Sequence, residues 1–170
     1  ETVEIDTENN DNAIDFDDFG ATQAAAISTV NVDLTAGAAN TNAHEVTLSN
    51  VQASTYGVST MSTGDDGDTL ALLNIDLADA SGDTAITLNL NNKQTTAAGN
   101  DMVITVLQAA GVETLTINAD AVASTSSAAD NIEIATLTTT SLTTLNINGD
   151  ADFLYDNAAG LEDGITTINA

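Results

Sequence analysis

The side chains in this chain that could do chemistry are almost all carboxylates. Its 170 residues hold 26 Asp and Glu against a single Lys or Arg, for a formal charge of −25 at neutral pH. Many of the acids sit in short Gly-, Ala- and Asn-rich turns: Asp65, Asp66 and Asp68 in TGDDGDTL, Asp83 in SGDT, Asp101 in AGND, Asp130 in AADN, and Asp120, Asp150 and Asp152 near the ends of two similar segments. Carboxylates with carbonyl and amide oxygens in turns are the ligand set of a hard divalent cation, and calcium is the ion this composition calls for. The run NGDADF, Asn148 to Phe153, offers oxygens at alternate positions, but Phe153 stands where an EF-hand loop needs Gly. Crowded carboxylates oppose compaction, and salt screens that repulsion without removing it. One site with a dissociation constant near 0.1 mM, in about 1 mM calcium, adds roughly 1.4 kcal/mol by linkage.

The same inventory excludes other chemistry. There is no Cys, one His (His44) and one cation (Lys93), so nucleophile and base arrangements have almost nothing to draw on, and the chain reads as a non-enzyme. His44, in NAHEVTL, reads as a surface or strand-edge residue without a second histidine to make a metal site. A polyanion such as DNA or RNA, or an anionic lipid surface, would be repelled. No run approaches the roughly 20 apolar residues that a membrane-spanning helix needs, so membrane insertion is not expected.

The elements that must position these acids are strands. Apolar and small polar residues alternate with period two in run after run, as at Val30, Val32 and Leu34, at Ile86, Leu88 and Leu90, and at Leu142, Leu145 and Ile147. Only residues 13–28 could hold a helix, and Gly20 keeps it short. Aromatics make up 3% of the chain and Pro is absent, so Val, Ile, Leu and Ala must fill the core and no strand residue lacks a backbone donor.

An internal repeat organises the strands. MVITVLQAAGVETLTINADA from Met102 aligns without gaps on IEIATLTTTSLTTLNINGDA from Ile132, matching Ile104 with Ile134, Leu115 with Leu145, Asn118 with Asn148 and Asp120 with Asp150. A tighter repetition sets GDTLALLNID from Gly67 over GDTAITLNLN from Gly82. Fixed-period similarity without hairpin turns predicts stacked coils. The expected fold is all-β, with a parallel β-helix (β-solenoid) over about residues 63–170. Residues 1–62 are expected as a separate β-rich segment or cap, for which a small β-sandwich competes, with a boundary in the Gly-, Ser- and Asp-rich stretch 59–69. Asn74, Asn89, Asn118 and Asn148 fit either an amide ladder at the coil corners or turns that tolerate Asn.

The units VETLTINADA and LTTLNINGDADF, with Thr-, Ala- and Asn-rich spacers and no Cys, resemble the repetitive β-strand regions of bacterial surface-layer proteins and of RTX-type exported proteins. TGDDGDTL approximates the Gly- and Asp-rich turn of the RTX nonapeptide without its adjacent Gly pair. The resemblance covers roughly residues 63–170. It implies a secreted, calcium-bound protein of the cell surface that self-assembles into a layer or filament, with cell-surface polysaccharide as a further partner. The start at Glu1 without Met reads as a processed or excised piece. The competing class is an adhesin or an ice- or carbohydrate-binding solenoid module, in which Thr114, Thr116, Thr139, Thr140, Thr143, Thr144, Thr166 and Thr167 form a flat array. Ordinary β-propensity accounts for the same threonines.

Overall fold

A computed structural model describes residues 1–7, 11–34, 44–60, 68–79, 84–93, 102–121, 131–155 and 164–170. Thirteen strands occur among them: β1 (Thr2–Asp6), β2 (Asn12–Asp15), β3 (Thr29–Leu34), β4 (His44–Val51), β5 (Thr55–Thr60), β6 (Asp68–Leu77), β7 (Ala85–Asn92), β8 (Met102–Ala110), β9 (Thr114–Ala121), β10 (Asn131–Thr138), β11 (Thr144–Gly149), β12 (Asp152–Tyr155) and β13 (Thr167–Asn169). Odd-numbered strands make a seven-stranded sheet in the order β1-β3-β5-β7-β9-β11-β13, and even-numbered strands make a six-stranded sheet in the order β12-β10-β8-β6-β4-β2. Every pairing is parallel, and the chain alternates between the two sheets as it climbs, so the molecule is a β-solenoid.

Both sheets run through the residue-62 region without a break, since β4 pairs with β6 and β5 with β7. The first five strands therefore belong to the same coil, and the sandwich alternative for residues 1–62 does not form. Within the stretch 59–69, residues 61–67 lie outside the described set.

The two sheets enclose the core. On the seven-stranded side, period-two alternation turns Val30, Tyr56, Leu88 and Ile117 inward as one stacked column, and Val32, Val58, Leu90 and Ala119 as the next. On the six-stranded side, Leu73, Leu107 and Leu137 stack on one another, as do Leu70, Ile104 and Ile134. Full burial of such a side chain is worth about 1.5–3 kcal/mol, so each rung is held by its neighbours above and below. Tyr56 and Phe16 are the fully buried rings, and the Tyr56 hydroxyl donates to Ala53 O at 2.8 Å. Burial pushes the Tyr56 phenol well above its ordinary range.

His44 is a correction. It opens β4 on the same side as Val46 and Leu48, pairs with Leu70 in register and is 7% exposed, because strand alternation carries it inward. The helical expectation for residues 13–28 narrows to a 3-10 turn, Phe16–Phe19, and a six-residue helix α1, Ala21–Ala26. Gly20, at φ 75°, separates them, and the Asp15 carboxylate caps the turn by accepting from Asp17 N at 3.1 Å.

Candidate functional site

The outward side chains of the seven-stranded sheet follow one rule, Thr-apolar-Asn-apolar-Asp, seen in full as TVNVD in β3 and TINAD in β9, with one change as TVEID in β1 and with two as NINGD from Asn146. Because the strands are parallel and in register, each position becomes a column along the coil, with successive side chains about 4.8 Å apart. Thr2, Thr29, Thr55, Thr87 and Thr116 form one column, continued by Asn146 and Asn169. Glu4, Asn31, Gly57, Asn89, Asn118 and Asn148 form the second, and Asp6, Asp33, Ser59, Asn91 and Asp120 the third. Of the threonines singled out in the sequence, Thr114, Thr144 and Thr167 stack together at the start of the strands and Thr116 joins the main column. Thr139 is instead buried, 6% exposed, with its hydroxyl lacking a partner.

Amides join the rungs. Asn118 Nδ2 donates to Asn89 Oδ1 at 2.7 Å, and Asn148 Nδ2 donates to Asn118 Oδ1 at 3.1 Å. A second ladder runs from Asn169 to Asn146 Oδ1 at 2.7 Å and from Asn146 to Thr116 Oγ1 at 3.2 Å. These ladders lie in the bodies of the strands, not at the corners, and Asn74 is not part of them: it sits in the six-stranded sheet between Thr47 and Gln108.

The Asn column is interrupted at Gly57. A β-carbon there would collide with Asn31 Oδ1, so the Asn31 amide leans across the gap, and its Nδ2 donates to Glu4 Oε1 at 2.9 Å. Around the gap lies a groove of about 280 Å³, into which the chain's sole cation reaches. Lys93 Nζ donates to Ser59 Oγ at 3.0 Å, and Ser59 Oγ donates to the Asp33 carboxylate. Lys93 is anchored from below: its backbone N–H donates to Thr60 Oγ1 at 2.8 Å, and Thr60 donates to buried Asn92 at 3.1 Å. The Ser59 hydroxyl commits its proton to Asp33 and accepts from an ammonium, so the trio forms one hydrogen-bonded chain across neighbouring rungs.

The carboxylates proposed from sequence as calcium ligands divide in two. Asp65, Asp66, Asp83, Asp101 and Asp130 lie outside the described residues, and Asp68 is the first residue of β6, in register with Met102. Asp120, Asp150 and Asp152 are exposed. Asp150 Oδ1 accepts from Ala121 N at 3.2 Å on the rung below, and Gly149, at φ 119°, lets the chain pass so close to Ala119 that a β-carbon would collide with its carbonyl. NGDADF is thus the end of β11, a turn and the start of β12, not the loop between two helices of an EF-hand. Among the described residues no group of three or more His, Cys, Asp or Glu side chains is placed to hold a metal.

Sequence reasoning passed over the outward column and the Gly57 groove. The signal was present: Thr two residues before Asn or Gly, with apolar residues between, recurs at Thr29, Thr55, Thr87 and Thr116. Among the described residues no helix is long and apolar enough to cross a membrane. Comparison with protein-family models, with curated proteins and with solved structures finds no match to this chain.

Proposed function

We propose that the chain is a structural protein of the cell exterior, a subunit or fragment of a self-assembling surface layer or filament that calcium stabilises. The observation that supports this reading is the use made of its polar side chains. Along the seven-stranded sheet, Asn89, Asn118 and Asn148 in one column and Thr116, Asn146 and Asn169 in the next hydrogen-bond from rung to rung, which lengthens and stiffens a rod. Among the described residues β1, β13, β2 and β12 are the outermost strands of their sheets, and such an edge is where a neighbouring strand can add. Calcium enters through electrostatics: at a charge of −25, a divalent cation shared between carboxylates removes repulsion that salt only screens. The test is static light scattering and electron microscopy of the purified chain in millimolar calcium and then in chelator. Ordered sheets or fibres that grow with calcium are expected, and a monodisperse monomer under both conditions would refute the proposal.

A second reading rests on the column Thr2, Thr29, Thr55, Thr87 and Thr116, a straight line of hydroxyls and methyls on a flat face. Such a line suits contact with an ordered water lattice. Thermal hysteresis of a dilute solution, lost in Thr87→Asp, is its signature, and freezing no different from that of an albumin control would dismiss it.

A further inference from the structure

From the groove at Gly57 we infer a second property, independent of assembly: a binding site for one neutral sugar unit. Along the central column of the seven-stranded sheet Gly57 alone carries no side chain, and Asn31, whose amide leans over it, is among the residues that line the groove. The opening of about 280 Å³ stands near the lower end of small-ligand sites, roughly 300 Å³, which is the scale of a single pyranose.

The chemistry of the rim selects the ligand. Acceptors come from the Glu4 and Asp33 carboxylates, and donors from the Lys93 ammonium and the amides of Asn89 and Asn91. On the rungs above, each ladder amide has an Asn or Thr below it to receive its proton. Asn89 has Gly57 in register below it, where the rungs above carry an Asn whose Oδ1 accepts from the amide overhead. A rim that mixes donors and acceptors within a few ångströms suits hydroxyl groups, each of which does both. Anionic ligands meet two carboxylates and the −25 field of the chain, and a bare cation meets the Lys93 ammonium at the heart of the site. A polyol meets neither penalty. The rung geometry adds preorganisation, because Lys93 is held through its backbone by Thr60 and through its ammonium by Ser59 before any ligand arrives.

Titration of the ¹⁵N-labelled full chain with methyl β-D-glucopyranoside, methyl β-D-galactopyranoside and N-acetylglucosamine, followed by amide chemical shifts, tests the site. Without an aromatic platform the affinity for a fitting sugar should be weak, with a dissociation constant on the order of 1–10 mM. Saturable shifts confined to Asn31, Gly57, Ser59, Asn89 and Lys93 are expected with at least one of the three. Gly57→Asn continues the Asn column into the gap, displaces only the flexible end of Asn31, and should weaken binding at least tenfold at an unchanged melting temperature. Should that variant misfold, Lys93→Gln, which leaves the core untouched, should weaken binding several-fold. The inference is overturned if none of the three sugars gives saturable shifts, if a variant that folds binds as the parent does, or if these residues respond to calcium chloride and not to sugar.

Discussion

The two outer faces of the coil are built from the same rungs at the same spacing, yet they differ in order. On the seven-stranded sheet the inward–outward alternation runs unbroken through β3, β5 and β7, so every outward residue falls into a column and the columns hydrogen-bond. On the six-stranded sheet the alternation slips by one residue inside the strand. Ile104 and Leu107 both face inward with Thr105 and Val106 between them, and the slip recurs at Ala135 and Thr136 and at Ala71 and Leu72. Where β4 meets β6 the register shifts twice, between His44 and Glu45 and between Leu48 and Val51, and Asn50 takes a left-handed φ of 57° at the second shift. Two consecutive outward residues bend a strand. The six-stranded sheet is therefore the irregular, bent side of the coil and the seven-stranded sheet its regular, flat side, where the amide ladder and the groove are found.

The comparison can be broken first at what the two sheets share. Leu88→Ala on the flat side and Leu107→Ala on the bent side both empty fully buried positions, and each should cost about 2–5 kcal/mol in denaturant unfolding. Ile168→Ala in the terminal strand, 48% exposed, should cost well under half of that. A tolerant Leu107 beside an intolerant Leu88 would mean that the two sheets do not share one core. Next comes Gly149→Ala, which forces a β-carbon onto Ala119 O at a positive φ and should cost about 1–3 kcal/mol or more.

Ladders sharpen the contrast between faces. Asn118→Ala removes a bond to the rung below and one from the rung above, a loss of about 1–2 kcal/mol, whereas Asn74→Ala on the bent face should fall within about 0.5 kcal/mol of the parent. Thr139→Val should act in the opposite direction. It replaces a buried hydroxyl that has no partner and should raise the unfolding free energy by about 1 kcal/mol.

The smallest effect is electrostatic. Asn50 Nδ2 donates to Asp15 Oδ1 at 2.9 Å and, with the Asp17 N–H, holds that exposed carboxyl below its ordinary range. A carboxyl depressed in the folded state adds stability above its unfolded pKa, near 3.9, and loses it as pH falls through the folded value. Asn50→Gly keeps the left-handed backbone and removes the amide. Carboxyl NMR should then show Asp15 titrating at higher pH, and an unmoved midpoint would remove Asn50 as the cause.

How much of this was legible in the sequence follows from turn length. Between Met102 and Gly149 successive turns match, and the ungapped alignment named the register pairs that form, Ile104 with Ile134, Leu107 with Leu137, Ile117 with Ile147 and Asn118 with Asn148. In the first sixty residues the turns differ: Thr29 pairs with Thr55, and Thr55 with the more distant Thr87, so no fixed period exists to be found. The shorter repetition, from Gly67 to Gly82, was real but relates β6 to β7, which lie in opposite sheets. The Gly57 groove was hidden because an absent side chain shows only once its neighbours are in register. Most of the carboxylates read as calcium ligands lie outside the described residues, and for them the sequence remains the source of the proposal.

The central claim is that one parallel register runs from the first rung to the last, and engineered disulfides test it most directly because the chain has no cysteine of its own. Register partners on a flat sheet place their α-carbons about 4.8 Å apart, within the 4.4–6.8 Å a disulfide spans, while partners displaced by two residues lie beyond about 7 Å. The account predicts that Thr29→Cys with Thr55→Cys, and Thr87→Cys with Thr116→Cys, oxidise readily within the monomer, and that Thr87→Cys with Thr114→Cys does not. Failure of both in-register pairs, or efficient closure of the displaced one, would contradict it.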